Sequence, residues 1–216
     1  AVTDALGAFD NQSFSITVAN TNDAPLFTSA PITAALQDIA YTYTITTADP
    51  DAGDSRVITV LNKPPWLNNF TDNGNGTATL SGTPSNGDLG LNPVTLQVTD
   101  LAGVTIDQSF TINVDNANDA PVFTSIPITT VNEDATYTYN ITSTDPDAGD
   151  TRTITVLSKP PWLTLTDNND GTATLSGIPL NQHVGSTSVV LAVTDALGAF
   201  DNQSFSITVA NTNDAP

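Results

Sequence analysis

The chain repeats itself at a fixed step, and that period constrains its fold more than any other feature. The tetrapeptide Asn-Asp-Ala-Pro ends at Pro25, Pro121 and Pro216, at spacings of 96 and 95 residues. DPDAGD recurs at 49–54 and 145–150, KPPWL at 63–67 and 159–163, and GTATLSG at 76–82 and 171–177. These landmarks define two full repeats, 26–121 and 122–216, preceded by residues 1–25 as the closing segment of an earlier copy. Residues 1–25 match 97–121 at 14 of 25 positions but match 192–216 at all 25. Alternate repeats agree while neighbours differ. This predicts a window, starting in mid-strand, from an alternating array with a 191-residue unit; a single recent duplication is the alternative.

Inside each repeat the apolar residues alternate. Tyr41, Tyr43 and Ile45 are interleaved with threonine, as are Tyr137, Tyr139 and Ile141 with Thr138 and Asn140. Val94, Leu96 and Val98, then Phe110, Ile112 and Val114, keep the same period of two, which marks half-buried strands. Seven strands are expected in the first repeat: A near 26–30, B near 40–48, C near 56–61, D near 67–72, E near 77–81, F near 93–99 and G near 107–115. TDNGNGT (71–77) and DNNDGT (167–172) read as hairpin turns. The fold class is therefore all-β, in tandem Greek-key seven-stranded β-sandwiches of immunoglobulin or cadherin type. Trp66 and Trp162, each following Pro-Pro, are expected to plug the core, the alternative being a binding platform. Residues 1–25 hold the end of an F strand, a turn and a G strand. An isolated hairpin is marginal, so the apolar face formed by Val2, Phe14, Ile16 and Val18 should be covered, by repeat 26–121 or by a neighbouring chain.

No cysteine is present, so each repeat must build an apolar core without disulfides. That is feasible at roughly 95 residues. No run of about 18 apolar residues occurs, and no membrane insertion is expected. The net charge of −19, with only Arg56, Lys63, Arg152 and Lys159 basic, argues against nucleic acid and anionic membranes as partners. Aspartate accounts for 22 of the 23 acids and Glu133 for the other. Aspartate suits turns, and it offers hard oxygen to Ca²⁺.

Strand direction places these acids. The linker enters at one end of the sandwich, and strands B and F run back to that end. The first repeat therefore gathers Asn22, Asp23, Asp49, Asp51, Asp54 and Asp100 there, and the second gathers Asn118, Asp119, Asp145, Asp147, Asp150 and Asp195. Two like charges ~4 Å apart repel by about 4 kcal/mol at an effective dielectric near 20, against a domain stability of about 5–15 kcal/mol. Either the carboxylates splay into water or a divalent cation sits among them. Carboxylate, amide and carbonyl donors suit Ca²⁺. An EF-hand is excluded, because its twelfth position, where a bidentate Glu is required, falls on Val60 and Val156.

The motifs NTNDAP and NANDAP resemble the cadherin linker pattern, DPDAGD resembles the cadherin D-x-D motif, and VTDLAG and VTDALG resemble its strand-F aspartate motif. GTATLSGTP and GTATLSGIP resemble the dystroglycan-type cadherin-like, or putative-Ig, repeats of bacterial surface adhesins. The resemblance implies Ca²⁺ held between consecutive domains, stiffening an extracellular, cell-surface rod. Two features depart from it. The cadherin D-R-E motif is missing, and only Glu133 matches the glutamates a cadherin donates from its lower end; the equivalent position of the first repeat is Gln37. Fewer or weaker ions follow, in the range of about 10⁻⁴–10⁻³ M typical of extracellular modules.

His183 lies in a polar loop without a nucleophile partner, and Lys63 and Lys159 read as turn residues. No phosphate loop, zinc set or nucleophile elbow occurs, so no enzyme is expected. The leading expectation is a calcium-stiffened structural repeat of a long adhesin or filament, partnered by neighbouring repeats or identical chains. The alternative is a module for polysaccharide binding or homophilic cell adhesion, which requires exposed aromatics.

Overall fold

The computed structural model describes residues 1–213; residues 214–216, the last three of the third Asn-Asp-Ala-Pro, fall outside it. The chain divides into two compact units. One comprises Ala1–Ala35, Ile39–Pro84 and Gly90–Val114; the other runs from Asp115 onward and includes Leu36–Asp38 and Ser85–Leu89.

The first sandwich is built from β3 (Leu26–Phe27), β4 (Ala34–Leu36), β5 (Tyr41–Ala48), β6 (Val57–Asn62), β7 (Asn69–Asp72), β8 (Thr77–Gly82), β9 (Gly90–Thr99) and β10 (Thr105–Asp115). Its sheets have the orders β3-β5-β8-β7 and β4-β10-β9-β6. The second repeats the plan with β11 (Val122–Phe123), β12 (Thr130–Asn132), β13 (Tyr137–Thr144), β14 (Thr153–Ser158), β15 (Leu163–Asp167), β16 (Thr172–Gly177), β17 (Gly185–Thr194) and β18 (Phe200–Ala210), in sheets β11-β13-β16-β15 and β12-β18-β17-β14. Strands B to G fall where the alternation places them. Strand A differs, because it is split between the two sheets. Its first piece pairs antiparallel with strand B, as β3 does with β5. Its second piece joins strand G, as β12 does in parallel with β18. Pro31 and Pro127 lie in the break, where a residue without an N–H cannot continue a ladder.

A buried tyrosine ties the break down. Tyr43 Oη lies 2.8 Å from Ser29 Oγ and donates to Gln108 Oε1 at 3.0 Å, joining strand A to strand G. Tyr139 does the same with Ser125 and Gln203. Around them the inward residues of both sheets form the core: Tyr41, Tyr43, Ile45, Ile58, Leu67, Leu80, Leu96, Val98 and Ile112 in the first unit, with matching residues in the second. Trp66 is buried edge-on to Tyr41 and donates to Asn92 Oδ1; Trp162 is half-buried edge-on to Tyr137. A Cβ on Gly82 would lie 1.9 Å from the Trp66 carbonyl oxygen, and one on Gly177 would lie 2.0 Å from that of Trp162. The backbone approach that seats each tryptophan therefore requires glycine.

Residues 1–19 and 192–210 have one sequence and two outcomes. The turn forms in both. Asp4 Oδ1 accepts the Leu6 and Ala8 amides, and Asp195 Oδ1 accepts those of Leu197, Gly198 and Ala199. At the N-terminus pairing stops after β1 (Val2–Thr3) and β2 (Phe9–Asp10). Val2, Phe14, Ile16 and Val18 stay 77–87% exposed, whereas Val193, Ile207 and Val209 are enclosed. The expectation that repeat 26–121 covers this face is not met. The turn is encoded locally, and the rest of the ladder needs a facing sheet.

Candidate functional site

In each unit the B–C loop follows strand B with DPDAGD, and Gly53 (φ 86°) and Gly149 (φ 91°) supply the left-handed turn that brings its last aspartate back. The F–G turn adds Asp100 or Asp195. One carboxylate oxygen each of Asp49, Asp54 and Asp100 lie within 4.8 Å of one another, and so do those of Asp145, Asp150 and Asp195. Asp100, Asp147 and Asp195 are almost fully enclosed.

The other expected site residues hold the linker to this triad. Asn22 Nδ2 donates to Asp100 Oδ2 at 2.9 Å, and Asn118 Nδ2 to Asp195 Oδ2 at 2.8 Å. The Asp23 amide donates to Asp51 Oδ2 and the Asp119 amide to Asp147 Oδ2, both at 2.7 Å. The Asp51 and Asp147 amides in turn donate to Asp49 Oδ1 and Asp145 Oδ1 at 2.9 Å. Of the six residues expected per site, three converge as potential ligands, while Asn22, Asp23 and Asp51, like Asn118, Asp119 and Asp147, wire the incoming chain to them. Asp49 Oδ2, Asp145 Oδ2 and Asp150 Oδ2 are enclosed without a hydrogen-bond partner. Buried polar atoms are seldom left so.

The electrostatics follow the wiring. The Asn22 amide holds the Asp100 carboxyl below its ordinary value, and the Asn118 amide does the same for Asp195. Asp51 is lowered by Asn20, whose Nδ2 donates to it at 2.6 Å, and then by the Asp23 amide. Asp150 moves the other way, raised by burial and then by the carboxylates of Asp145, Asp195 and Asp147. Arg152 donates to the backbone carbonyls of Asp150 and Asp170. Arg56 donates to Thr47 Oγ1.

Two contributors, Asn20 and Asn86, escape a reading of the sequence, and a third, Gln37, is named there only as the counterpart of Glu133 and not as a linker contact. Asn20 holds Asp51; Asn86 Nδ2 lies 3.4 Å from both Asp119 Oδ2 and Asp147 Oδ1; Gln37 Nε2 donates to Asp119 Oδ2 at 2.7 Å. No spacing announces them, because each contact spans 31 to 82 residues. His183, in its polar loop, is half-buried beside Trp162, its Nδ1 accepting the Leu180 amide. Lys159 Nζ donates to the Leu163 carbonyl at 2.6 Å, and Lys63 Nζ to that of Leu67, so both lysines close their own turns.

The profile of the putative Ig domain family matches residues 24–115 and 120–210. The chain belongs to the putative Ig domain family. Its fold is also that of cadherin repeats. The EC1-4 fragment of PcdhgB3 is similar at 16% identity and a TM-score of 0.64, over 91% of this chain and 52% of that one. Extracellular cadherin domains 3-6 of protocadherin gamma B2 are similar at 16% identity and a TM-score of 0.62, over 88% of this chain and 48% of that one. An endo-fucoidan hydrolase of glycoside hydrolase family 107 shares 29% identity over 88% of this chain and 29% of that one, but its TM-score of 0.42 is too low to bear on function. This putative Ig domain pair thus spans about half or less of these three solved chains. No curated protein matches it.

Proposed function

We propose that each sandwich binds a calcium ion at its carboxylate triad and uses it to fix the incoming linker. The chain is then a calcium-stiffened structural repeat of a long extracellular, cell-surface adhesin or filament, partnered by neighbouring repeats or identical chains, and is non-catalytic. The observation that carries this reading is the duplicated wiring: in both units the linker Asn is tied to a triad aspartate and the linker Asp amide to the aspartate beside the triad, while enclosed oxygens of Asp49 and Asp145 have no partner. The donors are all hard oxygen, with no thiol or imidazole among them, which fits Ca²⁺. A bound cation would supply charge neutralisation, while Asp51 and Asp147 orient the linker. The polysaccharide alternative needs exposed aromatic faces; Trp66 and Tyr43 are spent in the core and Trp162 is half-buried, which leaves Phe9, Phe14 and Phe200 as the strongly exposed aromatics among the described residues.

Isothermal titration of the chain with CaCl₂ tests this. Binding is expected at about 10⁻⁴–10⁻³ M, accompanied by a small-angle scattering profile that loosens when EGTA is added. No binding at several millimolar Ca²⁺, or scattering and melting indifferent to EGTA, would refute it.

A further inference from the structure

Positions 37 and 133 are the same place in successive repeats, occupied by side chains of opposite hydrogen-bonding polarity. Both are enclosed, Gln37 at 1% and Glu133 at 3% exposure. Both backbones are pinned to the end of strand G: the Gln37 amide donates to the Asp115 carbonyl at 3.0 Å and the Glu133 amide to the Ala210 carbonyl at 2.9 Å. Beyond that point they diverge. Glu133 Oε1 accepts the Thr212 amide at 2.6 Å, and its Oε2 has no partner. Gln37 instead donates through Nε2 to Asp119 Oδ2 at 2.7 Å and to Asp38 Oδ2 at 3.2 Å, leaving Oε1 without a partner.

The Gln37 amide is therefore a donor aimed at the linker aspartate whose backbone is already held by Asp147. A carboxylate at position 37 could not donate and would set a third negative charge beside Asp38 and Asp119. The Glu133 carboxylate can only accept, and it keeps an enclosed oxygen without a partner, which a bound cation would satisfy.

We infer that Gln37 is a cation-independent latch. Its amide secures Asp119 and orders the 115–121 linker without an ion, so the two repeats carry unlike ends: a neutral, donating one at Gln37 and an anionic, cation-seeking one at Glu133. This inference rests on the calcium reading above for its contrast, but the latch itself does not require calcium.

The test is amide hydrogen exchange of the full chain, read over 115–121 in EGTA and in millimolar CaCl₂, for the wild type, Gln37→Ala and Gln37→Glu. The wild-type Asp119 amide should be protected in EGTA. Gln37→Ala should lose about tenfold of that protection or more, the scale of one hydrogen bond to a charged group. Gln37→Glu should lose it in EGTA and regain it in CaCl₂. If Gln37→Ala is as protected as the wild type in EGTA while calcium still binds, the latch is wrong and the calcium reading stands. If calcium leaves every chain unchanged but Gln37→Ala is still deprotected, the latch stands and the calcium reading falls. A Gln37→Glu chain that calcium fails to restore, in a wild type that binds calcium, removes the contrast between the two ends.

Discussion

The side-chain amide of Asn118 donates to Asp195 Oδ2 at 2.8 Å across 77 residues of sequence. This contact joins the linker to the F–G turn and fixes the orientation of the Asp195 carboxylate, one of the triad. It is an outer contact of the proposed site, and removing such partners typically weakens metal binding by about 10–100-fold. Asn118→Ala should therefore lower calcium affinity in the second unit by about that factor, while the first unit, which uses Asn22, keeps its own. Site-resolved titration followed by NMR checks this; equal weakening at both sites would show that the amide does not act locally.

Acid acts on the triads and their linker contacts with two opposite signs. Asp51, Asp100 and Asp195 have lowered values, so their contribution to stability is present above the ordinary 3.8 and is lost as pH falls through their lowered ones. Asp150 is raised, so its charged form costs stability above its raised value, and protonation relieves that cost as pH falls through it. Calcium affinity of the second site should begin to fall at a pH above 3.8, before stability does. Asp150→Asn should raise the melting temperature in EGTA at neutral pH and remove the early step. Thermal melts against pH, with and without calcium, report both.

Gly177→Ala should destabilise the second sandwich without touching the acids. The added Cβ would meet the Trp162 carbonyl at 2.0 Å, and backbone cannot swing aside as a side chain can. Overpacking of this kind costs about 1–3 kcal/mol or more. At roughly 4–8 °C per kcal/mol for a domain of this size, the loss is easily seen by calorimetry. Gly82→Ala should do the same to the first sandwich.

Identical segments should exchange at different rates. Residues 203–209 lie in the β17–β18 ladder and Ala210 pairs with β12, whereas 12–19 form no strand. Exchange should be fast over 12–19 and slow over 203–210, while the Asp4 and Asp195 turns, being local, differ far less. Equal protection of both segments would show that the N-terminal copy finds a facing sheet in solution.

The parts legible in the sequence are those fixed by local rules. Strands B, E, F and G alternate over enough residues for the period to identify them, and DPDAGD declares its turn through Gly53 and Gly149. The end to which Asp49, Asp54 and Asp100 run follows from counting strand directions. The break in strand A is not legible in this way, because its pieces are two and three residues long and are held by Tyr43 and Tyr139 from other strands. The division of labour among the acids is hidden too. Asp49 and Asp51 look alike in sequence, and only the approach of Asn20 and the Asp23 amide makes one a linker holder while the other keeps a free oxygen.

The parallel pairing of β12 with β18 has a mechanical consequence. Thr130, Val131 and Asn132 lie opposite Thr208, Val209 and Ala210, and the Thr208 and Glu133 amides close the ends of the pairing on the Thr129 and Ala210 carbonyls. Tension applied through the flanking segments would draw these two strands past each other along a common axis. Once the two-residue β11 gives way, the remaining bonds are loaded in shear and must break together rather than unzip one at a time.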